Sequence, residues 1–155
     1  MPLPKRKTLP HTPPDFVSSG ATFFITLCGE PRGTNQLALP ERWPLIQSAA
    51  NHYHGSLRWH VRLLPAMPDH VHLLAGFPGD EDLKKAVSSW KRFLANAHGF
   101  SWQRDFFDHR LRCHESLDEK ASYVRMNPVR AGLIARPENW PYVWTPSDVI
   151  AEPSR

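Results

Sequence analysis

The chain alternates strand and helix signals in an order that few folds accommodate. Runs of β-branched, aromatic and aliphatic residues indicate strands, and apolar residues spaced three or four apart indicate helices. The predicted strands are residues 21–28, 57–64, 70–75 and a short segment within 100–112, and the predicted helices are residues 43–54, the segment between Asp80 and Gly99, and residues 117–127. This β-α-β-β-α-β-α order predicts an α+β fold with helices on one side of a single antiparallel sheet.

The most regular helical pattern lies between Asp80, a favourable N-terminal cap, and Gly99, a favourable C-terminal cap. Its apolar stripe consists of Leu83, Ala86, Val87, Trp90, Leu94 and Ala97. The basic residues predicted on the opposite face are Lys84, Lys85, Lys91 and Arg92. This helix is expected to bury one face against the sheet and to present positive charge on the other.

Length and composition are those of one basic domain. The chain has 155 residues, of which 41% are hydrophobic, and its formal net charge is +4. From Lys84 to Arg136, eleven Lys and Arg stand against five Asp and Glu, a net charge of +6, whereas the rest of the chain is slightly acidic. Such a segment is typical of a protein that binds nucleic acid, although an ordinary solvated surface gives the same count.

Several classes of protein are excluded. Two cysteines are too few for a disulfide scaffold, no apolar run approaches the roughly 18 residues of a membrane span, and the N-terminus lacks the apolar segment of a signal peptide. We therefore expect a soluble, cytoplasmic protein with no membrane partner. Its expected parts are an extended, basic, proline-rich arm at residues 1–20, one domain at 21–145 and a tail at 146–155.

Two histidines lie two residues apart in the predicted strand 70–75. His70 and His72 should project from the same face, because side chains alternate along a strand. Adjacent imidazoles can chelate a divalent metal, since each offers a ring-nitrogen lone pair. Two ligands do not make a site, so these residues alone leave an ordinary structural or surface role open.

Tyr123 and Asn127 lie four residues apart on the predicted helix 117–127 and are therefore neighbours on one face. Tyr123 flanks the apolar stripe, a position from which a tyrosine often simply covers the core. The functional alternative is a phenolic nucleophile beside a metal ligand. A phenol has a pKa of about 10, so it needs a cation or a base to attack at neutral pH, and the Asn127 amide oxygen could complete a metal site.

Basic and aromatic residues indicate a track for nucleic-acid phosphates, with the solvated surface as the alternative. On charge alone, the candidates are Lys5, Arg6, Lys7, Lys84, Lys85, Lys91, Arg92, Arg104, Arg110, Arg112, Arg125 and Arg130. Trp102 and Phe106 are candidates for stacking on unpaired bases.

Four motifs, in chain order, resemble those of the REP-associated tyrosine transposases. They are MPDHVHLL at residues 67–74, WQRDFFDH at 102–109, YVRMNPVRAGL at 123–133 and WPY at 140–142. These proteins are related to the single-tyrosine HUH transposases, which move bacterial insertion sequences as single-stranded DNA. The resemblance extends from about residue 23 to residue 142, most of the chain.

The resemblance implies a role for each candidate residue. His70 and His72 would be metal ligands, Asn127 the third ligand, and Tyr123 the nucleophile that cleaves single-stranded DNA at a REP-like hairpin through a 5′-phosphotyrosine intermediate. It also implies an RRM-like sheet with the tyrosine on a facing helix, Mg²⁺ or Mn²⁺ as cofactor, and a monomer or homodimer acting at the bacterial nucleoid. Because imidazole favours transition metals, we expect Mn²⁺ to bind more tightly than Mg²⁺.

Two other functions fit the same residues. A non-catalytic, domesticated repressor would bind hairpin DNA without cutting it, and a metal-dependent phosphodiesterase would use water in place of Tyr123. The three hypotheses differ in their products, which are a covalent protein–DNA adduct, no cleavage, and cleavage without an adduct.

Overall fold

The computed structural model describes residues 21–78, 80–111 and 114–146 of the chain. The strands are β1 (Thr22–Cys28), β2 (His60–Met67), β3 (His70–Gly76), β4 (Phe107–Leu111) and β5 (Val143–Trp144), and the helices are α1 (Trp43–Gly55), α2 (Asp80–His98), α3 (His114–Arg125) and α4 (Asn127–Arg130). No helix in these three ranges is long and apolar enough to cross a membrane. The predicted arm at 1–20 and all but the first residue of the predicted tail lie outside them.

All five strands form one antiparallel sheet in the order β4-β1-β3-β2-β5, which confirms the predicted α+β fold. The tight turn at residues 68–69 joins β2 to β3, so that Met67 pairs with His70. On the other side of β3, Thr26 of β1 lies opposite His72. The histidine strand is therefore held between two neighbours in the interior of the sheet.

One face of the sheet carries the main core. This core face presents Ile25, Leu27, Val71 and Leu73, all fully buried. Helices α1 and α2 cover it with Ile46, Ala50, Trp90 and Leu94, among others. Burying these aliphatic and aromatic side chains supplies the hydrophobic free energy that fixes the sheet against the two helices.

The opposite face carries both candidate histidines and is here called the histidine face; its other members include Phe24, Thr26 and Leu74. A second, smaller core forms there, in which α3 contributes Val124 against Leu74 and its neighbours. The prediction that helices cover only one side of the sheet is therefore wrong. Strand alternation places apolar side chains on the second face as well, and a further helix removes them from water.

Several predicted element boundaries differ from the structure. The second strand begins at His60 rather than at residue 57. Leu57 has a φ of 64° and belongs to the turn that ends α1. The predicted helix 117–127 begins earlier and is interrupted at Met126. Pro128 has no N–H to donate, so the hydrogen-bond pattern of the helix cannot continue unbroken through this point.

The segment after Pro137, where no strand was predicted, contains the fifth strand. Val143 and Trp144 pair with β2, and Trp144 is fully buried. Its indole N–H donates a hydrogen bond of 2.5 Å to the Asn51 side-chain oxygen on α1. The last described segment of the chain is therefore attached to both the sheet and the first helix.

Candidate functional site

The histidine pair lies at the beginning of β3. The ring centroids of His70 and His72 are 4.7 Å apart, with 74° between the ring planes. His72 is buried, with 8% of its surface exposed, and His70 is partly exposed. The spacing of two residues has placed both imidazoles on one face, as predicted from the sequence.

Each imidazole has a hydrogen-bonding partner on its Nδ1 atom. His70 Nδ1 lies 2.9 Å from the Asp69 carboxylate, and His72 Nδ1 lies 3.1 Å from the Thr26 hydroxyl. A carboxylate only accepts, so Nδ1 of a neutral His70 carries the proton and Nε2 carries the lone pair. Partners of this type orient histidines that bind metals through the other ring nitrogen. Sequence reasoning found the histidines but missed both supporting residues.

Asp69 connects this pair to the loop at residues 29–42. Its second carboxylate oxygen accepts hydrogen bonds from Arg32 Nε at 2.9 Å and from the Gly33 amide at 2.8 Å. Partial burial raises the pKa of Asp69, but the hydrogen bonds from Arg32, His70 and Gly33 outweigh it and hold this pKa well below its usual range. The carboxylate is therefore charged when it orients His70.

The same loop is docked against the turn that precedes His70. The backbone N–H of Gly29 donates a hydrogen bond of 2.8 Å to the backbone carbonyl of Asp69. The backbone N–H of Gln36 donates one of 3.0 Å to the backbone carbonyl of Pro68. A Cβ atom at Gly29 would lie only 2.7 Å from the Gln36 side-chain nitrogen, so a larger residue there would displace the end of the Gln36 side chain. The turn, and with it Asp69, is thus fixed from outside the sheet.

His72 remains uncharged well below neutral pH. Burial lowers its pKa to about 3, and repulsion from His70, Lys120 and Arg130 adds to the effect. A neutral imidazole keeps the lone pair that a metal or a hydrogen-bond donor requires. Competition from protons is therefore weak at this side chain.

Tyr123 is exposed on α3, with 56% of its surface accessible. The Arg130 guanidinium carbon lies 3.9 Å from the centroid of the tyrosine ring. The same guanidinium donates a hydrogen bond of 2.7 Å to the Tyr123 backbone carbonyl. Cation–π stacking and this hydrogen bond hold the side chain at the end of the helix while its ring stays open to solvent.

Asn127 is joined to the tyrosine through the same arginine. Arg130 donates a hydrogen bond to the Asn127 side-chain oxygen as well. The two residues were predicted to be neighbours on one continuous helix, but they lie on either side of the interruption at Met126. The arginine side chain, rather than regular helical spacing, connects Asn127 to Tyr123.

Contacts link Tyr123 to the histidine face. The Lys120 ammonium lies 5.4 Å from the centroid of the Tyr123 ring and 4.6 Å from that of Phe24. Phe24 in turn stacks on His72, with ring centroids 5.0 Å apart. The tyrosine and the histidine pair therefore share one face of the sheet, with Lys120 between them. Lys120 was not among the predicted residues, because its position becomes evident only from the strand register.

One predicted DNA contact is instead part of the interior. Lys91 is 8% exposed, and its ammonium donates to the carbonyl oxygens of Gln103, Arg104 and Asp105 at 2.8, 3.2 and 3.4 Å. Burial lowers the pKa of this ammonium. The prediction that Lys91 lies on the open face of its helix is wrong, because it borders the buried stripe beside Trp90 and a loop covers it.

Within the described ranges, the other predicted DNA contacts lie on different parts of the molecule. They are exposed and fall into three groups: Lys84, Lys85 and Arg92 on α2, which covers the core face; Arg104 before β4 and Arg110 on it; and Arg125 and Arg130 on α3 and α4. Lys5, Arg6, Lys7 and Arg112 lie outside the described residues. A role for any of these residues in DNA binding stays a prediction.

In the described ranges, no group of three or more His, Cys, Asp and Glu side chains is arranged to hold a metal ion. The histidine pair offers two ring nitrogens, and Asp69 lies on the Nδ1 side of His70. Among the described residues, a further ligand would come from another residue type, such as an amide oxygen.

No protein-family model matches the chain. Its sequence is similar to a Haemophilus influenzae protein assigned to the REP-associated tyrosine transposases, with 26% identity over 154 residues, 87% of this chain and 85% of the relative. It is also similar to the REP-associated tyrosine transposase of Escherichia coli K12, with 23% identity over 126 residues, 79% of this chain and 75% of the relative.

The fold matches that of a REP-associated tyrosine transposase solved in complex with a REP hairpin. The TM-score is 0.70 at 20% sequence identity, over 85% of this chain and 81% of the other. The similarity to REP-associated tyrosine transposases, inferred above from four motifs, is thereby confirmed.

Proposed function

We propose that the chain is a DNA transposase of the REP-associated tyrosine type, which binds hairpin DNA and cleaves an adjoining single strand with Tyr123. The observation that carries the proposal is the position of α3, which brings Tyr123 to the histidine face. The similarity of the chain to REP-associated tyrosine transposases over most of its length supports it.

His70, His72 and Asn127 would hold a divalent ion, Mg²⁺ or Mn²⁺. Both imidazoles are oriented through Nδ1, and His72 is neutral at physiological pH. The Asn127 oxygen accepts from Arg130, and an amide oxygen has a second lone pair to offer. The donor set therefore fits such an ion, which would act as a Lewis acid on the scissile phosphate.

Tyr123 would supply the nucleophile. Its phenolic oxygen attacks the phosphorus, the bond from phosphorus to the 3′ oxygen breaks, and the products are a 5′-phosphotyrosine and a free 3′-hydroxyl. The reverse attack by a 3′-hydroxyl rejoins strands, as transposition requires. Arg130 and Lys120 lie 3.9 and 5.4 Å from the tyrosine ring centroid, so positive charge is available where the phosphate approaches.

The test is the formation of a covalent adduct. Hairpin oligonucleotides labelled at the 3′ end and carrying randomised single-stranded flanks are incubated with the full chain and Mn²⁺, then separated on a denaturing gel. The wild-type protein should give a slowly migrating labelled species that a chelator abolishes. Tyr123→Phe should give none, because it lacks the attacking oxygen, while its DNA affinity stays within about twofold.

Tyr142→Phe is the matched control. Tyr142 is partly buried and packs against Trp43 and Trp140 beside the main core, so this variant should keep the adduct. Cleavage without an adduct would favour the phosphodiesterase that uses water. Binding without cleavage under Mg²⁺ or Mn²⁺ would favour a repressor, and an adduct in Tyr123→Phe would refute the assigned nucleophile.

A further inference from the structure

Phe107 is an aromatic residue that the described core does not use. It is 71% exposed, more than any other large hydrophobic residue in the described ranges. Four of the five side chains of β4 are exposed, and only Leu111 enters a core. Burial on folding therefore gives no reason for an aromatic ring at this position.

The sheet register places Phe107 in line with the histidine pair. On β4 it lies opposite Thr26 of β1, and Thr26 lies opposite His72 of β3. Side chains of directly paired residues project from the same face, so Phe107 belongs to the histidine face. Two strand spacings separate Phe107 from His72, about 10 Å between Cα atoms. A single strand whose phosphate reached the histidines could therefore extend over Phe107.

The aromatic residues predicted from the sequence to stack on bases are less suited to that role. Trp102 and Phe106 are partly buried and pack against the main core. The indole nitrogen of Trp102 is itself buried, and its ring lies 6.1 Å from that of Trp90. Phe107, one residue after Phe106, presents its ring to solvent instead.

The surroundings of His72 suit a polyanion more than an apolar partner. The Lys120 ammonium lies 4.6 Å from the ring centroid of Phe24, which stacks on His72, and the Arg130 guanidinium stacks on the ring of Tyr123. Both cations contact the ring of Tyr123 on the same face. Proteins that bind single strands combine basic groups for the backbone with exposed aromatic rings for the bases. The histidine face has both within a short distance.

We propose that Phe107 is a stacking platform for an unpaired base of the DNA strand whose phosphate is cleaved by Tyr123. The proposal rests on the proposed function for the identity of the substrate, and it specifies where one base next to the cleaved phosphate would lie. Since every base has a π face, this platform would favour unpaired over paired DNA without selecting a sequence.

The test compares two probes of equal charge. One is an oligothymidine longer than the roughly 4–16 nucleotides that single-strand-binding folds cover, and the other is an abasic oligonucleotide of the same length. Affinities are measured in the Tyr123→Phe background, so that cleavage does not interfere. Phe107→Ala should weaken oligothymidine binding by about 5- to 150-fold, the range for removing a stacked aromatic residue. Binding of the abasic probe should change by less than about twofold.

Matched variants separate stacking from other effects. Phe107→Trp should still bind oligothymidine more tightly than the abasic probe, because tryptophan retains a π face. Phe107→Leu should lose this difference in affinity, although leucine is also apolar. Phe93→Ala is the control, since Phe93 is also exposed, at 48%, but lies on α2 beyond the core face. Circular dichroism and a thermal melt establish that each variant is folded.

The outcomes distinguish this proposal from the proposed function. The platform is overturned if Phe107→Ala binds oligothymidine more tightly than the abasic probe by the same factor as the wild-type residue does. This holds whether or not the wild-type protein forms its adduct. A lost preference together with no adduct in wild type supports the platform and refutes the catalytic part. If Phe107→Ala instead converts a dimer into a monomer by light scattering, with thymidine binding unaltered, the ring serves contact between two copies and the platform is refuted. No binding of either probe by wild type refutes the platform, whereas the proposed function is decided by the adduct assay on hairpin DNA.

Discussion

Arg130 illustrates how much one side chain can organise. Its guanidinium stacks on the Tyr123 ring, bonds to the backbone carbonyl of that residue and bonds to the Asn127 side chain. Only a planar fork with several donors can make these contacts together, and a lysine ammonium cannot. From the sequence, Arg130 was assigned to DNA phosphates on charge alone, because spacing along a chain does not show where a long side chain folds back.

We expect Arg130→Lys to slow adduct formation by about tenfold or more at saturating DNA, since a hydrogen bond from a charged group contributes about 1.5–3 kcal/mol. Its DNA affinity should stay within about twofold, because the charge is kept. Single-turnover adduct formation and equilibrium binding are the two measurements. Arg125→Lys, at an exposed position at the end of α3, is the control. A loss of affinity without a loss of rate would show that Arg130 acts on DNA instead.

At the scale of elements, α2 is the helix whose two faces were predicted in most detail. Trp90 and Leu94 are buried as expected, whereas Lys91 is also buried and donates hydrogen bonds to a neighbouring loop. Helical periodicity predicts which side of a helix faces the sheet. It does not predict which residues at the edge of that side, such as Lys91, are covered by another segment of the chain. The two-residue strand β5 was missed for a related reason, since its pairing with β2 is a tertiary contact and its own pattern is too short to read.

Lys91→Met should lower the free energy of unfolding by about 1–3 kcal/mol, because backbone carbonyls at residues 103–105 lose their donor. Urea denaturation measures this loss. The dependence of DNA binding on salt should be unaltered. Arg92→Met should leave the free energy of unfolding almost unchanged. If Arg92 contacts a phosphate, this variant should decrease the slope of log affinity against log salt concentration by about one. Equal stability of the two variants would contradict the structural role of Lys91.

At the scale of the whole molecule, two half-buried histidines connect stability to pH. His54 and His60 lie with ring centroids 4.7 Å apart, and His54 Nδ1 accepts a hydrogen bond from the Val61 amide at 3.1 Å. Burial lowers the pKa of both, that of His60 to about 4 with further repulsion from His54 and Arg62. These residues join the end of α1 to the beginning of β2, so the effect concerns global unfolding.

The folded-state pKa of His60 is lower than the unfolded value of about 6.5, so the unfolded chain binds more protons between these two values. Stability should therefore be complete above about pH 6.5 and decrease as pH falls toward 4, with His72 contributing in the same direction. His60→Gln should flatten this decrease, measured by urea denaturation across the range. Parallel curves for wild type and variant would exclude a contribution from His60.

The two cations beside His72 have a consequence for the order of events at the site. Lys120 and Arg130 disfavour a proton on that imidazole, and they would disfavour a divalent ion on the same ring for the same electrostatic reason. A DNA phosphate placed between them removes the repulsion. Ion and substrate would then be thermodynamically linked, each tightening the other by the same factor. With the proposed ligands, the ion would be held weakly until DNA binds, and the substrate would complete the reactive centre.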